Sequence, residues 1–103
     1  MFKTNEYFDG KVKSLAFSDK KSEATLGVMA PGEYEFGTST IEVMTVITGE
    51  LNILLPDCVE WQIFGPMESF TVEENVKFKV KVKVTSSYLC RYFKKCCGNC
   101  SCS

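Results

Sequence analysis

A chain of 103 residues with 12 Lys and Arg against 13 Asp and Glu carries a formal charge of −1. No global field therefore draws it to nucleic acid or to an anionic membrane, and any anion site must be local. The length suits one domain. Histidine is absent, which removes the commonest general base, the commonest metal ligand and the usual sensor of neutral pH.

In chain order, Asn5 to Phe8 precedes an Asp9-Gly10 turn signal, and residues 11–17 alternate as a first full strand. Residues 18–22 form a polar hairpin loop and 24–29 the returning strand, which Ala30-Pro31-Gly32 breaks because proline cannot continue a ladder. A short strand over 33–36 and a small polar loop follow. The stretch IEVMTVITGELNILLP, residues 41–56, reads as the central hairpin of a sheet: β-branched alternation, a tight turn at Gly49-Glu50, then an apolar run ended by Pro56. Further strands are predicted over 59–64, 69–72, 78–84 and 87–93. In the third of these, Phe78, Val80, Val82 and Val84 oppose Lys77, Lys79, Lys81 and Lys83. That lysine row is what a solvated or edge-protecting strand face carries, and no RNA-binding aromatic motif accompanies it. About eight to ten short strands without helical periodicity predict an all-β single domain, a sandwich or barrel.

The N-terminus lacks an apolar signal core and no apolar run reaches the length of a membrane helix, so the expected location is the cytoplasm. Four of the six cysteines, Cys96, Cys97, Cys100 and Cys102, fall in the last eight residues and cannot staple a core. Composition shifts after Phe93, dividing a domain over 1–93 from a Cys-rich tail over 94–103, which is expected to be disordered and oxidisable, with thiolate binding of a soft metal as the second reading. Cys58 and Cys90 are expected to be small buried hydrophobes.

The central stretch resembles a cupin, a jelly-roll barrel: Glu42, six residues, then Gly49 matches the second half of the first cupin motif. On that alignment Glu35 and Gly37 stand where two metal-binding histidines would be, and Phe78 where the second motif has its histidine. No metal is expected, because one or two carboxylates hold a transition metal poorly without imidazole. A closer resemblance covers the chain up to Phe93. NEYFDGKVKS at residues 5–14, GVM at 27–29, GEYEF at 32–36, EVMTVITGELNILLPD at 42–57, WQIF at 61–64 and SSYLCRYF at 86–93 are together similar to the small cupin-like pyrimidine/purine nucleoside phosphorylases. The chain departs from that pattern at Glu73-Glu74-Asn75, where a Pro-Gly type turn is usual, and in its tail.

The resemblance implies a metal-independent salvage enzyme, a transferase that cleaves purine and pyrimidine ribonucleosides with inorganic phosphate to free base and ribose 1-phosphate. It implies no cofactor beyond phosphate as co-substrate, and a homodimer is expected because a small sheet has edges and faces to cover. Such chemistry needs an anion-binding group, an aromatic surface for the base and hydrogen bonds to ribose, and it exploits positioning and electrostatics at an oxocarbenium-like centre.

Arg91, the only arginine, is the candidate for phosphate because a guanidinium grips it bidentately; the alternative is an arginine paired structurally with a carboxylate. Glu42 is the candidate for the ribose hydroxyls or the charge at the sugar, with Glu35 behind it; the alternative is a salt bridge to Arg91. Tyr34, Phe36, Trp61 and Tyr88 could stack on a base or simply fill the core, and Thr38, Thr45 and Gln62 are lesser polar candidates. The rival reading is a non-catalytic small-ligand or sugar-binding module using the same barrel mouth.

Overall fold

The computed structural model describes residues 2–94. Among the described residues there are ten strands: β1 (Lys3–Tyr7), β2 (Val12–Ser18), β3 (Glu23–Met29), β4 (Gly32–Gly37), β5 (Ile41–Thr48), β6 (Leu51–Leu54), β7 (Gln62–Phe64), β8 (Ser69–Val72), β9 (Lys77–Val82) and β10 (Ser86–Phe93). They form two antiparallel sheets, one of six strands in the order β1-β2-β3-β10-β5-β8 and one of four in the order β4-β9-β6-β7. The all-β expectation holds, with the strands arranged as two facing sheets rather than one closed barrel.

The turn signals at Asp9-Gly10 and at residues 18–22 do make hairpins, joining β1 to β2 and β2 to β3. The stretch 41–56 does not. β5 pairs with β10 and β8, whereas β6 pairs with β7 and β9, so Gly49-Glu50 carries the chain from one sheet to the other. The physical reason lies at Ser86. Its buried hydroxyl receives the amide of Glu50 and donates towards the carbonyls of Glu50 and Val84. Gly49, at φ 78°, passes so close to Ser86 that a Cβ there would overlap it. A corner fixed by a side chain from β10 leads the second strand away from the first.

Two further expectations shift. Only Gln62–Phe64 of the predicted 59–64 strand is extended in a ladder, with Val59 93% exposed. Cys58 is exposed, whereas Cys90 is buried as expected. The cysteine-rich tail lies, beyond Lys94, outside the described residues.

Between the sheets sits one apolar cluster, with Val46, Leu51, Ile53 and Val80 fully buried. Alternation does the sorting: Met44 and Val46 of β5, Tyr88 and Cys90 of β10, and Phe78, Val80 and Val82 of β9 all point inward. Aromatic rings run into this interior from the exposed Phe8 in the β1–β2 turn through Phe36, Phe78 and Phe70 to Phe64, with neighbouring centroids 4.7–6.4 Å apart. Packing of this kind is worth about 0.5–1.5 kcal/mol per pair beyond burial. The lysines of β9 take the outer face, where Lys81 Nζ lies 4.2 Å from the centre of the Trp61 ring.

Candidate functional site

The inner face of the six-stranded sheet is set by register. One cross-strand row places Ser14, Gly27, Tyr88 and Val46 side by side, and the next places Thr25, Cys90 and Met44. A further row pairs Tyr92 with Glu42. Gly27 is required by this arrangement, since a Cβ there would overlap the Tyr88 ring, which crosses β3 towards Ser14. Removing that one side chain lets a tyrosine lie flat along the floor.

Above this floor lies a cavity of about 390 Å³, within the range of roughly 300–1,000 Å³ usual for small-molecule sites. Its floor carries the polar groups: Ser14, Glu42, Tyr88, Cys90 and Tyr92. Its roof is aromatic, made by Phe36 and Phe78 of the four-stranded sheet and by Phe8, whose turn folds back against β4 with ring centroids 4.9 Å from Tyr34 and 5.5 Å from Phe36. Phe8 adopts φ 54°, which is uncommon for a bulky side chain. Tyr7, Met29 and Met44 complete the walls.

The electrostatics follow from burial. Glu42 is pushed above its ordinary value by desolvation, partly offset by the hydrogen bond from Cys90 Sγ to its Oε1 at 3.4 Å. Burial also raises the Cys90 thiol and the Tyr88 and Tyr92 hydroxyls, so all three are protonated donors at neutral pH. Tyr92 is oriented by a 2.9 Å hydrogen bond with Thr25 Oγ1.

Of the residues singled out in the sequence, the structure brings Glu42, Phe36 and Tyr88 together in the cavity, with Glu35 at its border. Glu35 is exposed and opposes Lys79 across the β4–β9 ladder. Tyr34 is buried in the core, its hydroxyl donating to the Ala30 carbonyl at 2.6 Å. Thr38 donates to the Glu73 carbonyl and receives the Val76 amide, pinning the β4–β5 connection to the segment after β8. Thr45 exchanges a 2.7 Å hydrogen bond with Ser69 at an exposed position. Gln62 is exposed on β7, and Trp61 stands on the outer surface with Lys81.

Arg91 is placed outside the cavity. It points away from Tyr88, Cys90 and Tyr92 on the same strand and binds Asp19 through both terminal guanidinium nitrogens, at 3.0 and 2.9 Å, with Ser22 alongside. That hydrogen bonding holds the Asp19 carboxyl well below the usual range. The pairing of Arg91 with Glu42 does not occur. Arg91 is not among the residues lining the cavity of its own chain; if that cavity alone binds phosphate, Arg91→Lys leaves the phosphate dependence of turnover unchanged, which a phosphate saturation curve checks. Its effect on stability should be modest, because lysine keeps the charge at a partly exposed pair while losing one of the two hydrogen bonds to Asp19.

Ser14, Cys90 and Tyr92 escaped the sequence reading although two of them share the parity of Tyr88 on β10. Phe8 had no local signal, because its place in the roof depends on a turn folding onto the other sheet. Among the described residues no three of His, Cys, Asp and Glu converge as a metal site. The cavity offers Glu42 beside a protonated thiol, with the exposed Glu35 at its border and no imidazole, a poor donor set for a transition metal.

Two facing antiparallel sheets with a cavity between them are the arrangement of the cupin-fold structures this chain resembles. The RmlC-like cupin of Shewanella frigidimarina shares the fold, with TM-score 0.70 at 18% identity, covering 88% of this chain and 82% of that one. A crystal structure of a Vibrio parahaemolyticus protein of unknown function matches with TM-score 0.87 and 43% identity over 90% of this chain and 99% of that one. The model of the family described as pyrimidine/purine nucleoside phosphorylase matches residues 2–92. The pyrimidine/purine nucleoside phosphorylase of Pseudomonas syringae pv. syringae is 58% identical over 92 residues, 89% of this chain and 99% of that protein. The chain belongs to the pyrimidine/purine nucleoside phosphorylase family.

Proposed function

We propose that the chain is a nucleoside phosphorylase of broad base tolerance, transferring ribose from purine and pyrimidine nucleosides to inorganic phosphate. The observation that carries this reading is the division of the cavity into an aromatic roof and a polar floor. A base lying against Phe8, Phe36 and Phe78 gains stacking worth about 1–3 kcal/mol whatever its hydrogen-bonding edge. A roof of phenylalanines offers no donor or acceptor with which to prefer one base.

On the floor, Glu42 is the group for the ribose hydroxyls and for the positive charge that develops at the anomeric carbon. A phosphate oxygen bonds to that carbon as the bond to the base nitrogen breaks, and the electron pair leaves with the base, which takes up a proton. The protonated hydroxyls of Tyr88 and Tyr92, with Ser14, are the donors available to phosphate and to the departing base, since no Lys or Arg lines the cavity among the described residues. A phenol is already neutral at this pH and burial raises both further, so each retains a proton to donate.

The functional unit is the domain over 1–93, acting as a cytoplasmic homodimer in nucleoside salvage. The outer face of the six-stranded sheet supports the dimer: Leu15, Leu26 and Leu89 lie in one cross-strand row beside Val28, with Leu26 49% exposed. A row of this kind suits a self-complementary interface, and analytical ultracentrifugation of the full chain reads the stoichiometry.

Incubating the full chain with uridine and with inosine, with and without phosphate, tests the reaction. Release of both bases only when phosphate is present, with ribose 1-phosphate formed in equal amount, is the expected result. Base release without phosphate would make it a hydrolase, and no release from either would favour a binding module.

A further inference from the structure

We propose that Cys90 is a positioning residue for Glu42, its thiol holding the carboxylate at the cavity floor and setting the pH at which it becomes available to substrate. This inference rests on the role proposed above for Glu42.

A buried cysteine ordinarily serves as a small apolar filler. Cys90 is 2% exposed and would pass for one, except that its sulfur is aimed at Glu42 Oε1 from 3.4 Å. Among the described residues this thiol is the one side chain hydrogen-bonded to Glu42, and no cation pairs with it. The arrangement is unusual in its weakness. A partly buried carboxylate normally recruits Arg, Lys or several backbone amides, because leaving it without them costs several kcal/mol. Here its partner is a poor donor that a sugar hydroxyl outcompetes.

That weakness suits a substrate-binding group. A guanidinium would fix Glu42 permanently and neutralise the charge needed at the anomeric carbon. The thiol keeps the carboxylate aimed into the cavity when the site is empty, and yields its place to a stronger donor when ribose arrives. The thiol is itself held by its surroundings. Tyr92, oriented by Thr25, bears on Cys90 from the same strand, and burial keeps the thiol protonated and therefore a donor.

The titratable groups that face Glu42 are few. Cys90, Tyr88 and Tyr92 come from β10, Tyr7 from the end of β1, and Glu35 stands at the border on β4. The three tyrosines and the cysteine are uncharged when protonated, and Glu35 is exposed to water. The hydrogen bond from Cys90 is therefore the contact through which a single substitution can move Glu42. Because it stabilises the charged form, its loss raises the pH at which Glu42 ionises.

The test reads Glu42 directly. The carboxyl carbon of Glu42, assigned in 13C NMR spectra by its disappearance in Glu42→Gln, is titrated in the full chain as parent, Cys90→Ala and Cys90→Ser, and the pH profile of kcat/KM is recorded for each. Cys90→Ala is expected to move the titration to higher pH by about half to one unit, while Cys90→Ser, which keeps a donor, restores it. The acidic limb of kcat/KM should move with the titration, leaving the plateau at higher pH in place. A titration unmoved in Cys90→Ala overturns the inference whatever happens to turnover, and a titration that moves while the acidic limb stays fixed overturns its catalytic half. If the parent itself releases no base, the proposed function fails and takes the positioning role with it, while the titration still registers the pairing.

Discussion

Glu42→Gln is expected to abolish most phosphorolysis while leaving the protein folded and, at neutral pH, at least as stable as the parent. Glutamine keeps the shape and can still accept the Cys90 hydrogen bond, but it brings no negative charge to the anomeric carbon. The loss expected for removing one preorganised electrostatic group is about 10²–10³-fold in kcat/KM. The stability effect runs the other way and has a definite pH dependence. Folding raises the proton affinity of Glu42 above its ordinary value of 4.5, chiefly through desolvation. Between the ordinary and the raised value the native state binds more protons than the unfolded state, so the stability Glu42 contributes is full below pH 4.5 and declines as pH rises through the folded value. Glutamine lacks that decline. Melting curves of parent and variant should therefore separate as pH increases, with the variant higher, and converge towards pH 4.5. A variant less stable at every pH would mean that the carboxylate is a structural anchor.

Gly27→Ala is expected to be the most damaging single-methyl addition to the site. Its Cβ would occupy the space now held by the ring of Tyr88, a residue only 6% exposed and closed in by the core. The ring must then swing up into the cavity or β3 must move away from it. Overpacking of this kind costs about 1–3 kcal/mol, and either response disturbs the floor on which Glu42 and Cys90 sit. A loss of kcat/KM of about tenfold or more is expected, since small displacements of positioning groups are amplified in rate. Replacing Tyr88 by Leu in the Gly27→Ala background should recover stability without recovering activity. Recovery of both would show that Tyr88 is core packing alone.

Most strand positions and the hairpins at Asp9-Gly10 and 18–22 were legible in the sequence because each rests on local alternation and turn chemistry, whereas the cupin reading came from the resemblance of whole blocks such as residues 42–57 to a known family. The fate of residues 41–56 was not legible. A β-branched run, a glycine and a second apolar run describe a hairpin and a sheet-to-sheet corner equally well, and Ser86, which decides between them, is distant in sequence. For the site, parity along a strand held more information than residue type. Tyr88 and Arg91 are three apart on β10 and cannot face the same side, so choosing Tyr88 for the interior already assigned Arg91 to the exterior. The same rule separates Tyr34 and Phe36 from Glu35. The attraction of a lone arginine for phosphate is sound chemistry, but the β2–β3 hairpin brings Asp19 to it first. Phe8 could not be read at all, because the roof it forms is a contact between sheets.

The most direct test of the central claim, that the cavity between the sheets holds the nucleoside, is a map of amide chemical-shift changes as inosine is added to the full chain in the absence of phosphate. Saturable changes centred on Phe8, Phe36, Glu42, Tyr88 and Cys90 are predicted. Changes confined to the outer faces, around Trp61 and Lys81 or around Arg91 and Asp19, would contradict the account.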